Sequence, residues 1–310
     1  MTNSHSAPAC RALVVEGGAM RGIFAAGVLD AFMQGNHYDF DLALGVSAGA
    51  TNLTGYLARR PGRNRRVITE LARQRDFFNP ARFMRGGHLT DVNWLWHQGL
   101  EQHPLDVQRI WDSMPLYAVG THIDSGEAAY WQINDSNLHA AMVASCALPY
   151  LYRDSVEIDG EWFVDGGVAD SIPVRKAYEL GARDITVVLS RPRGYRKLQY
   201  PHGMMEQVQQ RMLQHLGEEA HLLSAMMLRA DDYNDSLEFI DHPPADCRVR
   251  VIAPPAQFAV SRLTMNIDRL HQGYRMGLAA GTEYLLSYDD YFGANLQQTP
   301  PPSLFARLQR

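Results

Sequence analysis

Apolar runs and glycine-rich turns alternate along the N-terminal part of the chain. Residues 12–15 are all apolar and are followed by glycines, and residues 22–33 carry apolar side chains at helical spacing. The order then repeats, with a strand-like segment at 40–44, a glycine-rich turn at 45–49 and a helical segment to Leu57. Because a strand buried on both faces is apolar throughout, this order predicts a parallel sheet. We therefore expect a layered α/β fold with right-handed crossovers.

The same reasoning predicts the later elements. Strands are expected at residues 117–122, 129–133, 185–189 and 249–252, with a hairpin at 156–158 and 162–164. Helices are expected at 138–147, 174–180, 203–229 and 267–286, the third with a methionine-rich stripe. We expect a flexible N-terminus at 1–10, a core domain at 11–190, a strand and helical extension packed on it at 191–290, and a tail at 291–310.

Charge and cysteine content narrow the functional classes. The 29 basic and 34 acidic residues give a net charge of −5, which argues against a nucleic-acid partner. The three cysteines have neither a disulfide framework nor metal-ligand spacing. No apolar run is long enough to span a bilayer, and the N-terminus lacks the pattern of a secretory signal. A cytoplasmic protein without a metal site is the expectation.

A serine lies in the turn after the second predicted strand. Gly45, Ser47 and Gly49 form a G-x-S-x-G pattern between a strand and a helix. A nucleophile on such a turn needs small neighbours, because the backbone is crowded and the hydroxyl must project from it. The pentapeptide by itself also fits a plain glycine-rich turn, so its placement carries the interpretation.

A second glycine-rich loop follows the first strand and opens a helix. It contains Gly17, Gly18, Ala19, Arg21 and Gly22. The dinucleotide pattern G-x-G-x-x-G fails, because alanine stands at its second glycine. An oxyanion hole needs only free amides at a helix N-terminus, which this loop offers. A tight β–α turn without chemistry stays open as an alternative.

An aspartate follows an apolar segment later in the chain. Asp165 stands at the end of residues 162–164 and is followed by Gly166 and Gly167. A carboxylate at the end of a strand, with a free backbone behind it, is a candidate for a partly buried functional group. Taken alone, the tripeptide also fits an ordinary Asp-Gly turn.

Together these motifs, in this order, resemble the patatin-like phospholipase family of bacterial and plant acyl hydrolases. The resemblance extends to residues 14–22 (VVEGGAMRG), 144–149 (ASCALP) and 163–170 (FVDGGVAD), and it covers roughly residues 12–190. It implies a three-layer α/β/α catalytic core with a mostly parallel sheet, followed here by C-terminal helices. It also implies a hydrolase of lipid carboxylic esters that needs no cofactor.

The resemblance further assigns roles to individual residues. It implies that Ser47 is the nucleophile and Asp165 its general base, a dyad without histidine, and that amides of the 17–22 loop bind the oxyanion. No histidine lies in a motif that a triad would use. The family usually has a third glycine where this chain has Ala19, which raises the question whether the backbone there adopts a positive φ.

Substrate preference is less sharply indicated. Bulky apolar residues at 77–78, 83–84 and 94–96 fit an acyl groove or a lipid-facing surface, and equally the core of a helical subdomain. The arginines at 59, 60, 63, 65 and 66 fit a solvated turn better than a lipid-phosphate contact. The expected partner is a lipid or another acyl ester, with transient contact to a membrane surface as a further expectation. A thioesterase or peptidase on the same elbow, and a nucleotide-binding or scaffold protein, are the alternatives.

Overall fold

The structure is a computed structural model that describes residues 10–199 and 219–293. Its strands are β1 Arg11–Val15, β2 Leu42–Val46, β3 Leu116–His122, β4 Ala128–Gln132, β5 Val156–Ile158, β6 Glu161–Asp165, β7 Asp184–Val188 and β8 Arg248–Ile252. The α-helices are α1 Gly22–Gln34, α2 Ala48–Leu57, α3 Arg63–Arg66, α4 Pro80–Met84, α5 Val92–Gln102, α6 Val107–Trp111, α7 Leu138–Cys146, α8 Val174–Glu179, α9 Glu219–Asp241 and α10 Ile267–Gly293. A short 3-10 turn, Ala19–Arg21, precedes α1, and a π-helical turn, Val67–Leu71, follows α3.

The strands form one sheet in the order β5-β6-β3-β2-β1-β7-β8, with β4 paired to β3. The pairs that join β3, β2, β1, β7 and β8 are parallel, and β4, β5 and β6 pair in antiparallel fashion. The prediction of a mostly parallel sheet is confirmed. Because β1 and β2 are parallel neighbours, the turns that follow them lie side by side at one edge of the sheet.

Helices cover both faces of the sheet, as the apolar run in β1 predicts. Leu13 and Val15 point into a core formed with α1, α2, α5, α6 and α7. Ala12 and Val14 point to the opposite face, into a core formed with α8 and α9. All four side chains are fully buried, which explains why residues 12–15 include no polar position.

The C-terminal residues continue the same fold. β8 extends the sheet beside β7, and α10 packs along α1 at very close range. A Cβ on Gly27 would overlap the carbonyl oxygen of Tyr274, and one on Gly277 would overlap that of Phe24. Two glycines therefore let the helix backbones touch.

The long helix before β8 differs from its prediction. The structure describes it from Glu219 to Asp241, so it extends well beyond the predicted end at 229. Tyr233, Leu237 and Ile240 pack into the core at helical spacing along this extension. Residues 200–218, with most of the predicted methionine stripe, lie outside the described residues, as do residues 1–9 and 294–310. Among the described helices, none is long and apolar enough to cross a membrane.

Candidate active site

Ser47 occupies a strained turn between β2 and α2. It is a single residue between the two elements, with φ 53° and ψ −125°, a backbone conformation that a residue with a Cβ rarely adopts. Its neighbours must be small, because a Cβ on Gly49 would overlap the Val15 carbonyl oxygen and one on Gly45 would lie 2.6 Å from the Ala50 Cα. The turn therefore projects the Ser47 side chain at the C-terminal edge of the sheet, as the G-x-S-x-G spacing predicts.

A buried hydroxyl on α7 holds the serine turn in place. Ser145, on α7, is fully buried and accepts a hydrogen bond of 2.8 Å from the Ser47 N–H. This bond satisfies a buried amide that the turn would otherwise leave without a partner. Ser145 belongs to the ASCALP segment, so that segment contacts the serine turn directly.

Asp165 ends β6 and is 4% exposed. Its Oδ1 accepts a hydrogen bond of 2.7 Å from the Gly167 N–H. Its backbone is fixed on both sides: the N–H donates to the Ala147 carbonyl at 2.9 Å, and its carbonyl accepts from the Thr121 hydroxyl at 2.9 Å. The carboxylate is thus held rigidly in the wall of the cavity that Ser47 also lines.

Burial raises the pKa of the Asp165 carboxyl, because an apolar surrounding disfavours the charged form. The positive charge of Arg229 opposes this shift most strongly, followed by the Gly167 amide and a hydrogen-bond interaction with the Ser47 hydroxyl. The result is a carboxylate of raised basicity that lines the same cavity as the Ser47 hydroxyl.

In the loop after β1, the backbone at Ala19 adopts a positive φ. Ala19 has φ 48°, in the left-handed region that glycine adopts at least cost. Its amide and that of Gly18 make no hydrogen bond to any residue in the described ranges. The remaining amides of the loop have acceptors: Gly17 faces Ser171, Met20 faces Arg262, Arg21 faces Gly18 and Gly22 faces Ala19 and Met20. Gly18 and Ala19 are therefore the amides left free beside Ser47.

A buried polar network fixes the back of this loop. The Ser190 hydroxyl accepts hydrogen bonds from Arg21 Nε at 3.1 Å and Nη2 at 3.0 Å. The same hydroxyl donates to Glu16 Oε1 at 2.7 Å, and the Ser190 N–H donates to Glu16 Oε2 at 2.6 Å. The Arg21 guanidinium thus points away from the cavity, and its role in the structure is to hold the loop.

The cavity in front of Ser47 is lined mainly by apolar side chains. Its volume is about 150 Å³, and Phe77, Leu95 and Trp96 form part of its wall. Within the described residues, no histidine lines it, and no group of three or more His, Cys, Asp or Glu is placed to hold a metal ion. Of the other bulky residues in this region, Trp94 packs in a neighbouring core cluster and Met84 is exposed.

Arg63 is not solvated, in contrast to the prediction of a solvated turn for this segment. It is buried, lines the same cavity, and donates to the carbonyls of His103 at 2.7 Å and Gly99 at 3.1 Å. Burial lowers its pKa to about 10. This arginine ties the helical segment after α2 to α5 and so builds the apolar wall.

Cys146, at the end of α7, also lines the cavity. Burial, followed by the negative charge of Asp165, raises the pKa of its thiol to about 12. The thiol is therefore neutral at physiological pH, which makes it a poor nucleophile beside the serine.

Two cavity residues had no signal in the sequence. Arg229, on α9, and Arg262, in the loop between β8 and α10, line the cavity from the C-terminal part of the chain. Neither stands in a motif, and each is far from Ser47 and Asp165 in sequence. The fold brings them there because α9 and β8 flank β7, which lies beside β1.

The fold and this site define a class: an α/β protein with a serine on a strand–helix turn, a glycine-rich loop beside it and a buried aspartate. The profile of the patatin-like phospholipase family matches residues 13–178. The chain belongs to this family. A second profile, a domain of unknown function (DUF6363), matches residues 219–293, the part that contains α9, β8 and α10.

Two known proteins are similar over most of the chain. The "Uncharacterized protein YjjU" of Escherichia coli K12 is 36% identical over 280 residues, which covers 88% of this chain and 76% of that protein. The crystal structure of VipD from Legionella pneumophila aligns with 91% of this chain and 68% of that chain, at 12% identity and a TM-score of 0.48.

Proposed function

We propose that this protein is a serine acyl hydrolase that cleaves carboxylic esters of lipids through an acyl-enzyme. The observation that carries the proposal is the arrangement of Ser47 and Asp165. Ser47, in a strained turn, and Asp165, a buried carboxylate of raised pKa, line the same apolar cavity. This arrangement supplies a nucleophile, a base and room for an acyl chain.

In the first half of the reaction, Asp165 accepts the Ser47 proton as Oγ attacks the ester carbonyl carbon. The negative charge that develops on the carbonyl oxygen is stabilised by the free amides of Gly18 and Ala19. Each such donor is worth about 2.7–4 kcal/mol in the transition state. Protonated Asp165 then gives its proton to the departing alcohol, which leaves the acyl group on Ser47.

In the second half, water takes the place of the alcohol. Asp165 accepts a proton from the water as its oxygen attacks the acyl carbonyl, and the same two amides again stabilise the oxyanion. Collapse of this intermediate breaks the bond to Ser47 Oγ, which receives the proton from Asp165. The carboxylic acid is released and the dyad is restored.

The lining of the cavity supports a lipid acyl chain over a nucleotide. Met20, Phe77, Val92, Leu95 and Met142 are among its apolar wall residues. Burying apolar surface against them stabilises a hydrocarbon chain by about 25 cal/mol per Å². The buried Glu16 beside the glycine loop disfavours a pyrophosphate there.

The proposal is tested by hydrolysis of p-nitrophenyl esters of increasing chain length. We expect activity in the wild-type protein, a loss of at least about 10³-fold in Ser47→Ala and Asp165→Asn, and wild-type activity in the control Ser287→Ala, an exposed serine on α10. Activity that survives in Ser47→Ala would refute the assignment of the nucleophile.

The alternatives are separated by parallel measurements. A thioesterase or a peptidase on the same turn would prefer acyl-CoA or peptides to oxygen esters. A nucleotide-binding or scaffold protein would be stabilised thermally by a nucleotide and would show no hydrolysis of any ester.

A further inference from the structure

The segment between β8 and α10 packs against the glycine-rich loop that follows β1. Val260 in this segment and Leu270 in the first turn of α10 are buried in the same apolar cluster as Met20 and Ile23. Met20 belongs to the glycine-rich loop, and Ile23 lies in the first turn of α1. The two parts of the chain that separate family profiles match are therefore packed together where this loop enters α1.

A backbone hydrogen bond joins the C-terminal segment to the loop. The Met20 N–H donates to the Arg262 carbonyl oxygen at 3.3 Å. At the start of the loop, the Gly17 N–H donates to the Ser171 carbonyl oxygen at 3.5 Å. The free amides of residues 18–19 lie between these two bonds, so the bonds fix the direction in which the free amides point.

One buried side chain holds the turn that presents the Arg262 carbonyl. Thr264 is 7% exposed, and its hydroxyl oxygen accepts a hydrogen bond of 2.8 Å from the Ser261 N–H. The same oxygen lies 3.0 Å from the Ser261 hydroxyl, and the Thr264 N–H donates to the Ser261 carbonyl at 3.4 Å. Such bonds between a side chain and nearby backbone close residues 261–264 into a turn, with Arg262 inside it.

A second contact reaches the loop from α9. Tyr233 is buried, and its hydroxyl donates to Glu16 Oε1 at 3.4 Å. Glu16 immediately precedes the loop and also accepts hydrogen bonds from Ser190. Residues 219–293 therefore contact the loop at its start, through Tyr233, and near its end, through Arg262.

The loop needs these contacts because its conformation is strained. Ala19 has φ 48°, and a residue with a Cβ keeps such a backbone only where the surrounding structure holds it there. An amide stabilises an oxyanion only if its N–H already points at the place where the charge develops. A loop released from the Arg262 carbonyl would still carry its amides, but it would lose their direction.

We propose that Thr264 is a positioning residue for the oxyanion loop, and that residues 219–293 complete the active site by holding this loop. Thr264 fixes the 261–264 turn, the turn holds the Met20 amide, and the held loop directs its free amides into the cavity. Thr264 does not itself line the cavity, so it acts through the loop and not on the substrate. The inference rests on the proposed acyl hydrolase function, and it gives a role to the part of the chain that the domain of unknown function matches.

The first test is hydrolysis of p-nitrophenyl butyrate by Thr264→Val and Thr264→Ser. Valine keeps the size of the side chain but removes the hydroxyl, whereas serine retains it. We expect kcat to fall about 10-fold or more in Thr264→Val, because the oxyanion donors act in the transition state. Acylation and deacylation use the same amides, so KM should stay unchanged. Thr264→Ser should restore kcat to within about 3-fold of wild type, since the accepting oxygen is kept.

The matched control is Thr282→Val in the same part of the chain. Thr282 lies on α10, and its hydroxyl donates to the Leu278 carbonyl at 2.9 Å. The control loses a hydrogen-bonded hydroxyl that is far from the loop in the chain, and its kcat should equal that of wild type. An equal fall of kcat in Thr264→Val and Thr282→Val would indicate a general loss of stability and would overturn the proposal.

Hydrogen–deuterium exchange separates the position of the loop from the chemistry. In a peptide that contains Met20, exchange should be faster in Thr264→Val than in wild type and unchanged in Thr282→Val, because the Met20 amide loses its acceptor. Faster exchange together with the fall in kcat supports the proposal. Unchanged exchange, or faster exchange with an unchanged kcat, overturns it.

Two further outcomes are decided by the same measurements. If Thr264→Val does not fold, Tyr233→Phe takes its place, since it removes the other contact and keeps the ring. A lower kcat at unchanged KM in Tyr233→Phe then supports the proposal, and an unchanged kcat overturns it. If the wild-type protein cleaves no ester, the proposed function fails, while the exchange measurement still decides whether Thr264 holds the loop.

Discussion

Replacing Ala19 by glycine should stabilise the protein. At φ 48°, the alanine pays about 1–2 kcal/mol for its Cβ in the left-handed region. Glycine removes this cost, but its greater freedom in the unfolded chain returns about 0.4–1 kcal/mol. Ala19 is exposed, so the lost methyl group costs no packing. We expect Ala19→Gly to raise the free energy of unfolding by about 0.5–1 kcal/mol.

Urea denaturation measures this change, and Ala140→Gly is the matched control. Ala140 lies inside α7 with helical backbone geometry, where the same substitution should cost about 1 kcal/mol. The two variants should therefore shift the midpoint in opposite directions. Because Ala19→Gly keeps the amide, ester hydrolysis should survive. A destabilisation of Ala19→Gly equal to that of the control would refute the strain at this position.

Three further predictions follow from the site. Ser190→Ala removes the hydroxyl that joins the Arg21 and Glu16 side chains behind the glycine loop. We expect this substitution to lower the free energy of unfolding by about 2 kcal/mol and to reduce kcat. Unchanged stability and kcat would refute the role of this network. Burial raises the folded-state pKa of Asp165, so ionisation of this carboxyl destabilises the fold as pH rises through that pKa. Asp165→Asn should be inactive. In urea denaturation, its stability relative to wild type should be greater at pH 7 than at pH 4. The acid limb of the pH profile of kcat/KM should follow the raised pKa of Asp165. Arg229→Met removes the charge that most strongly opposes this shift, so it should move the acid limb to higher pH. A shift to lower pH would contradict the assignment of Asp165 as the base.

Local patterns were sufficient to predict the centre of the fold. Residues 12–15 are apolar without interruption because both faces of β1 are covered, and this strand is where predicted. The serine turn is visible because the close approach of α2 to β1 excludes a Cβ at Gly49. Such constraints act within a few residues, so the sequence displays them directly.

Other features depend on contacts between distant segments. The free amides of Gly18 and Ala19 are distinguished from their neighbours only once Arg262 and Ser171 have accepted from Met20 and Gly17. The arginines that line the cavity, Arg229 and Arg262, come from separate elements with no shared motif. The extension of α9 to Asp241 did have a signal, the helical spacing of its apolar residues, but the surrounding polar residues obscured it.

Covalent labelling by a fluorophosphonate tests the central claim most directly, since this reagent reacts with activated serines. Peptide mass spectrometry of the labelled protein should find one adduct, on Ser47. We expect labelling to disappear in Ser47→Ala, to fall steeply in Asp165→Asn, and to persist in Ser287→Ala. An adduct on Ser47 whose rate is unchanged in Asp165→Asn would contradict the two-residue mechanism. A folded wild-type protein that takes no label would contradict the assignment of Ser47 as a nucleophile.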